Sequence, residues 1–180
     1  SKDQMSGICN WREERRHALK IASMLDIPLI TLDFEKEYRK IVYEDMIKNY
    51  KKGITPNPDI LCNEKIKFPL LWEKAKKLKA DYIITGHYAR IKKNKNNYYL
   101  LRGKDEKKDQ SYFLYRLNQE DLSHTLFPIG NYTKSQIRKT AEKAGFHNFN
   151  KKSTVGICFI GKVNLKEFLK KRINQKKEKS

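Results

Sequence analysis

The sequence is poor in several features, and each shortage excludes a class of protein. Only three cysteines occur in 180 residues, an odd number, widely spaced. That does not read as a secreted disulfide framework. It points to a reducing, cytoplasmic setting, where thiols are reactive rather than stapled. There is no Cys-x-x-Cys pair, and no cysteine has a histidine at ligand spacing, so no metal site is expected. No apolar run approaches the roughly 20 residues of a membrane span, so no membrane partner is expected. The opening Ser1-Lys2-Asp3-Gln4 has neither the apolar run nor the cleavage pattern of a signal peptide. Neither a Gly-x-x-x-x-Gly-Lys-Ser/Thr loop nor a Gly-x-Gly-x-x-Gly fingerprint is present to cradle phosphates. Acidic residues are also scarce. Asp plus Glu number 21 against 40 Lys plus Arg, a formal net charge of +19.

That excess of positive charge attracts polyanions and speeds their capture. Nucleic acid is the natural partner, because Lys and Arg on phosphates release condensed counterions. A lysine-rich composition with no such partner would give the same excess. Apolar residues make up 38% of the chain and aromatics 11%, enough for a folded core. The length suits one domain with a short extra piece at either end.

Ala18, Ile21, Ala22 and Leu25 recur at helical spacing from Trp11 onward. The apolar run Ile27–Leu32 reads as a buried strand. A second helix covers Tyr38–Tyr50, ended by Gly53. Thr55-Pro56-Asn57-Pro58-Asp59 is not helical at its prolines. Further along, helices are expected over Phe68–Leu78, Asp109–Arg116, Thr133–Ala144 and Leu165–Ile173. Strands are expected over Tyr82–Thr85, Tyr98–Arg102 and Ile157–Ile160. Helices alternating with short apolar strands argue for an α/β fold with a largely parallel sheet. Functional groups in such sheets gather at the carboxyl ends of strands.

Four clusters carry candidate chemistry. In the first, Asp59 and Cys62 are three residues apart, so one helical turn puts them on one face. A carboxylate there can move a proton to or from sulfur, and Lys65 and Lys67 favour thiolate. The same residues also read as an N-cap and a small buried hydrophobe. In the second, glycines flank Cys158 within Gly156-Ile157-Cys158-Phe159-Ile160-Gly161, a pattern open to a mobile thiol or to a plain strand residue. In the third, Thr85-Gly86-His87-Tyr88 ends a strand, where backbone amides hold phosphate or adenine or simply form a tight turn. In the fourth, Lys108-Asp109-Gln110-Ser111-Tyr112 offers Lys for phosphate, Gln for a base edge and Tyr for stacking. It also reads as a solvated, capped loop.

These stretches resemble, in order, four signatures of the bacterial tRNA-specific 2-thiouridylases: Thr55–Phe68, Ala80–Arg90, Lys108–Leu114 and Gly156–Gly161. The resemblance runs from about Cys9 to about Arg172. It implies a Rossmann-like domain of the adenine nucleotide alpha hydrolase, or PP-loop, type, present in part over residues 1–164. Residues 165–180 would then begin a central tRNA-binding domain or linker. It further implies that ATP and Mg²⁺ adenylate O2 of the wobble uridine, position 34, in tRNAs for Glu, Gln and Lys. A persulfide sulfur, delivered by a donor protein, then displaces AMP.

By motif, Cys158 would carry the persulfide and Cys62 would attack it, leaving a Cys62–Cys158 disulfide. Asp59 would be the general acid–base, and Asn57, Pro58 and Asp59 would touch the target base. Gly86 would contact ATP, and His87, Lys108, Asp109 and Gln110 would contact tRNA. Cys9 is expected to be structural.

Two departures qualify this. The family's Ser-Gly-Gly-Val-Asp-Ser-Ser loop is missing, as are its central domain and β-barrel, so the chain is expected to be an internal fragment or a truncated gene product, unable to adenylate tRNA alone. Ser153-Thr154-Val155 also stands where the family carries an acidic residue. The rival readings are another PP-loop adenylating ATPase and a non-catalytic, basic tRNA-binding remnant.

Overall fold

A computed structural model describes residues 11–151, 165–170 and 172. They divide into two compact units, one of residues up to Pro58 together with those from 152 onward, the other spanning Asp59–Lys151. In chain order the helices are α1 Trp11–Met24, α2 Glu35–Tyr38, α3 Glu44–Lys51, α4 Pro58–Cys62, α5 Phe68–Lys77, α6 Gln119–Ser123, α7 Lys134–Lys143 and α8 Leu165–Lys170. The strands are β1 Ile83–Ile84, β2 Ala89–Asn94, β3 Asn97–Arg102 and β4 Thr125–Leu126. No described helix is long and apolar enough to cross a membrane.

In the first unit, α2 and α3 are joined by a π-helical turn, Arg39–Tyr43, into one helical run. The run buries Tyr38, Val42 and Met46, the apolar face that its spacing dictates. Gly53 ends it at φ +78°, a conformation that suits glycine. Phe168 of α8 packs on Met46, and Arg172 donates to the Tyr43 hydroxyl at 2.8 Å.

The expected strand over Ile27–Leu32 is not formed. Ile27 and Ile30 are 54% and 56% exposed, and no described strand pairs with this segment. Apolar composition alone makes no strand, because the backbone groups need a ladder partner.

The second unit holds both of the described sheets. Strands β1 and β4 pair in parallel, with Ile83 opposite Thr125 and Ile84 opposite Leu126, as an α/β fold with crossover connections requires. Strands β2 and β3 form an antiparallel hairpin that closes at Lys95, φ 52°. The strand β2 escapes a search for apolar alternation, since Arg90, Lys92, Lys93 and Asn94 dominate it. It is held by its ladder to β3, and β3 is gripped by Gln119, whose side chain accepts from Tyr98 N–H (2.7 Å) and donates to Tyr98 C=O (2.9 Å). The core gathers Phe68 and Ala75 of α5 with Ile83, Ala89, Leu114, Leu117, Leu122 and Phe127.

Two further differences concern helix limits. Pro58 is helical: it occupies the first position of α4, where a missing N–H costs nothing and a fixed φ helps. The helix expected over Asp109–Arg116 is reduced to a 3₁₀ turn, Ser111–Phe113. Thr133 caps α7 as expected, in a reciprocal capping box with Gln136.

Candidate functional site

The Cys62 motif folds as one helical run, α4, a π-helical turn over Asn63–Lys67, and α5. Asp59 and Cys62 share the single turn of α4. Cys62 is 3% exposed and Asp59 is half-buried. A π turn is wider than an α turn, so it rotates the residues after it relative to those before it. Here it turns Ile66, Phe68 and Ala75 into the core.

Two side chains on this turn reach the segment after the fourth cluster. Asn63 Nδ2 donates to the Phe113 carbonyl at 3.2 Å. Glu64, only 13% exposed, has Arg116 Nε at 2.7 Å and Lys65 Nζ at 2.8 Å. The Arg116 contact is an ion pair whose N–H is not aimed along the line of approach. Asn63 Oδ1 is buried and accepts no hydrogen bond.

The third cluster sits at the carboxyl end of β1. Gly86 is exposed, with open space where a Cβ would stand, so its backbone is approachable. His87 is different. It is 9% exposed, with its ring stacked on Phe68 at 5.8 Å and edge-on to Phe127 at 5.9 Å. Its Nδ1 lies 2.8 Å from the Thr85 hydroxyl. Burial, with the charge of Lys67 adding to it, lowers its pKa to about 4. The imidazole is therefore neutral at pH 7 and serves as a packed, hydrogen-bonded ring rather than a cation.

The fourth cluster is organised by its own side chains. Asp109 Oδ1 accepts from the Gly103 and Ser111 amides (2.8 and 3.2 Å), and Oδ2 accepts from the Ser111 hydroxyl (2.9 Å). Burial pushes this carboxyl up, but those hydrogen bonds and the charge of Arg102 outweigh it and hold the pKa below the usual range. Gln110 Oε1 accepts from Tyr88 N–H at 3.0 Å, while Gln110 N–H donates to Tyr88 C=O at 2.9 Å. Lys108 and Tyr112 project into solvent.

The unit Asp59–Lys151 thus contains Asp59, Cys62, Gly86, His87, Lys108, Asp109 and Gln110. Pro58 opens the helix that carries two of them, and Asn57 precedes it. Cys158, Cys9, Ser153-Thr154-Val155 and the expected strand Ile157–Ile160 lie outside the described residues. Sequence reasoning missed Asn63 and the Glu64–Arg116 pair. Asn63 had one signal: a polar residue directly after a buried cysteine must find a partner.

Comparison with known proteins follows the same lines. A family model described as the tRNA methyl transferase HUP domain matches residues 1–162. A "tRNA-specific 2-thiouridylase MnmA" of Nitrosomonas europaea is 47% identical over 168 residues, covering 93% of this chain and 46% of that protein. A protein of the same name from Streptococcus pyogenes and a "tRNA-specific 2-thiouridylase MnmA 1" from Geobacillus kaustophilus are 46% and 49% identical over 164 residues, each 91% of this chain and 44% of the relative. The chain spans about half the length of these curated relatives. With nine-tenths of its residues inside one family model, the chain belongs to the tRNA methyl transferase HUP domain family.

Proposed function

We propose that this chain supplies the sulfur-transfer and tRNA-contacting part of an ATP-dependent tRNA uridine 2-thiolation enzyme. The observation that carries the reading is the joining of two motifs. The turn bearing Asp59 and Cys62 is tied through Asn63 and Glu64 to the segment that follows Lys108-Asp109-Gln110.

In this reading a protein donor loads Cys158 with a persulfide, and its outer sulfur displaces AMP from the activated wobble uridine. The Cys62 thiolate then attacks the Cys158 sulfur and breaks its bond to the transferred sulfur, which leaves as the sulfur of 2-thiouridine, and a reducing cytoplasm reopens the Cys62–Cys158 disulfide that remains. Asp59, on the same turn as Cys62, holds or moves the proton at the reacting atoms. Asn57 and Pro58, at the start of that turn, would lie against the base. The open backbone of Gly86 at a strand's carboxyl end fits a nucleotide contact. Bound ATP with Mg²⁺ would supply the adenylyl group that makes the uridine oxygen a leaving group. Lys108 would meet tRNA directly, while Asp109, Gln110 and His87 shape the surface it belongs to.

The test is a chimera in which this chain replaces its matched half of the Geobacillus kaustophilus relative. Formation of 2-thiouridine in unmodified tRNA, with ATP and a persulfide donor, is expected. Loss of thiolation in Cys62→Ser and Cys158→Ser, with tRNA binding kept, is the second expected result. Thiolation that survives Cys158→Ser would overturn the persulfide assignment. A chimera that binds tRNA but never thiolates it would overturn the sulfur-transfer reading.

A further inference from the structure

Three backbone segments meet at Tyr88 and Ala89 without side chains between them. A Cβ on Gly103 would stand 2.6 Å from the Tyr88 carbonyl oxygen, and one on Gly130 only 1.7 Å from that of Ala89. Lys104 N–H donates to Gly130 C=O at 2.8 Å. Asp105 completes the joint: its Oδ1 accepts from Lys107 N–H (3.1 Å) and its Oδ2 from Lys134 N–H at the start of α7 (2.8 Å). The loop 103–110 and the first turns of α7 are therefore one rigid piece.

This piece concentrates positive charge. The ammonium of Lys134 is held below its usual pKa, first by burial, then by the charges of Lys108 and Arg138, with Asp105 opposing them. Arg138 spends one guanidinium nitrogen on the Lys151 carbonyl, 3.0 Å away. Asp105, the carboxylate that opposes them, also accepts from two backbone amides. Lys134 and the two cations that act on it, carried on this joined frame, gain from an anion set among them. The RNA backbone offers a row of such anions, and phosphate contacts of this kind set register without reading sequence.

Resting on the function proposed above, we propose that Lys108, Lys134 and Arg138 form a phosphate-backbone contact for tRNA, so that the RNA-binding surface continues from the loop 103–110 onto α7. The two α7 residues lie outside every motif, and nothing in their local spacing singles them out.

The experiment is fluorescence anisotropy of an unmodified tRNA transcript titrated with the 180-residue chain, at salt from about 50 to 200 mM. Each lost phosphate contact lowers the slope of log K against log salt by about 0.7 to 0.9. Lys108→Gln, Lys134→Gln and Arg138→Gln are each expected to show that fall. The Lys108→Gln/Lys134→Gln pair should fall by about twice as much. Arg138→Lys, which keeps the charge, is expected to retain the slope. Lys143→Gln, at the far end of α7, is expected to leave it unchanged, and circular dichroism confirms that each variant is folded. Unchanged slopes in folded variants that still bind tRNA would overturn this contact and leave the proposed function standing. A wild-type chain that fails to bind tRNA would overturn both.

Discussion

Asn63 donates its side-chain amide to the carbonyl oxygen of Phe113, fifty residues further along the chain, across 3.2 Å. The bond joins the helix that carries Cys62 to the segment that follows Lys108–Gln110. Removing it strands a carbonyl in a poorly hydrated place. Asn63→Ala is expected to lower unfolding stability by about 1–3 kcal/mol. Urea unfolding followed by circular dichroism measures this. A change within about 0.5 kcal/mol would mean that the bond contributes little beyond an ordinary surface contact.

His87 makes stability depend on pH. Its folded pKa is about 4, below its ordinary 6.5, so the unfolded chain binds more protons between those values. Stability is then full above pH 6.5 and declines as pH falls toward 4, by up to about 3 kcal/mol. Carboxylates titrate over part of this range, so the comparison is with His87→Phe, which keeps the packing on Phe68 and Phe127. Wild type should lose more stability than the variant between pH 7 and pH 5. Parallel profiles would show that the ring is not buried neutral.

Gln110 presents a choice of acceptor chemistry. Gln110→Glu keeps the oxygen that accepts from Tyr88 N–H, and Gln110→Leu keeps the bulk without it. The leucine variant should lose about 1–3 kcal/mol and show faster amide exchange at Tyr88. The glutamate variant should preserve slow exchange at that amide. Equal exchange in the two variants would place the constraint elsewhere.

Gly130→Ala tests the backbone joint. The added methyl would lie 1.7 Å from the Ala89 carbonyl oxygen, and both atoms belong to a packed main chain. Destabilisation by about 3 kcal/mol or more is expected. A variant that melts within a few degrees of wild type would contradict the close approach.

The readable parts of this sequence were those governed by local rules. The cap at Thr133, the stop at Gly53 and the apolar face of α5 each follow from neighbours within a turn or two. The strand β2 was hidden because lysine and asparagine hold their places by pairing with β3, a non-local condition. Ile27–Leu32 failed in the opposite direction, apolar enough for a strand but without a described partner. Pro58 was misread because a proline that forbids the interior of a helix favours its first position. At the candidate site, residue types and order were legible. The division of labour was not: Asp109, Gln110 and His87 are spoken for by backbone amides, two hydroxyls and two aromatic rings. Only folding distance reveals that, since Gln110 and Tyr88 lie twenty-two residues apart.

The meeting of Gly103 and Gly130 with the Tyr88–Ala89 backbone bears on how such a surface can change over time. A frame built from main chain and the carboxylates of Asp105 and Asp109 places no demand on the outward side chains at 104, 107, 108 or 139. Substitutions there alter what the surface attracts while leaving its foundation untouched. Affinity for a different RNA is thus open to drift at those positions, whereas either glycine, once replaced, closes the route by collapsing the frame that every outward position shares.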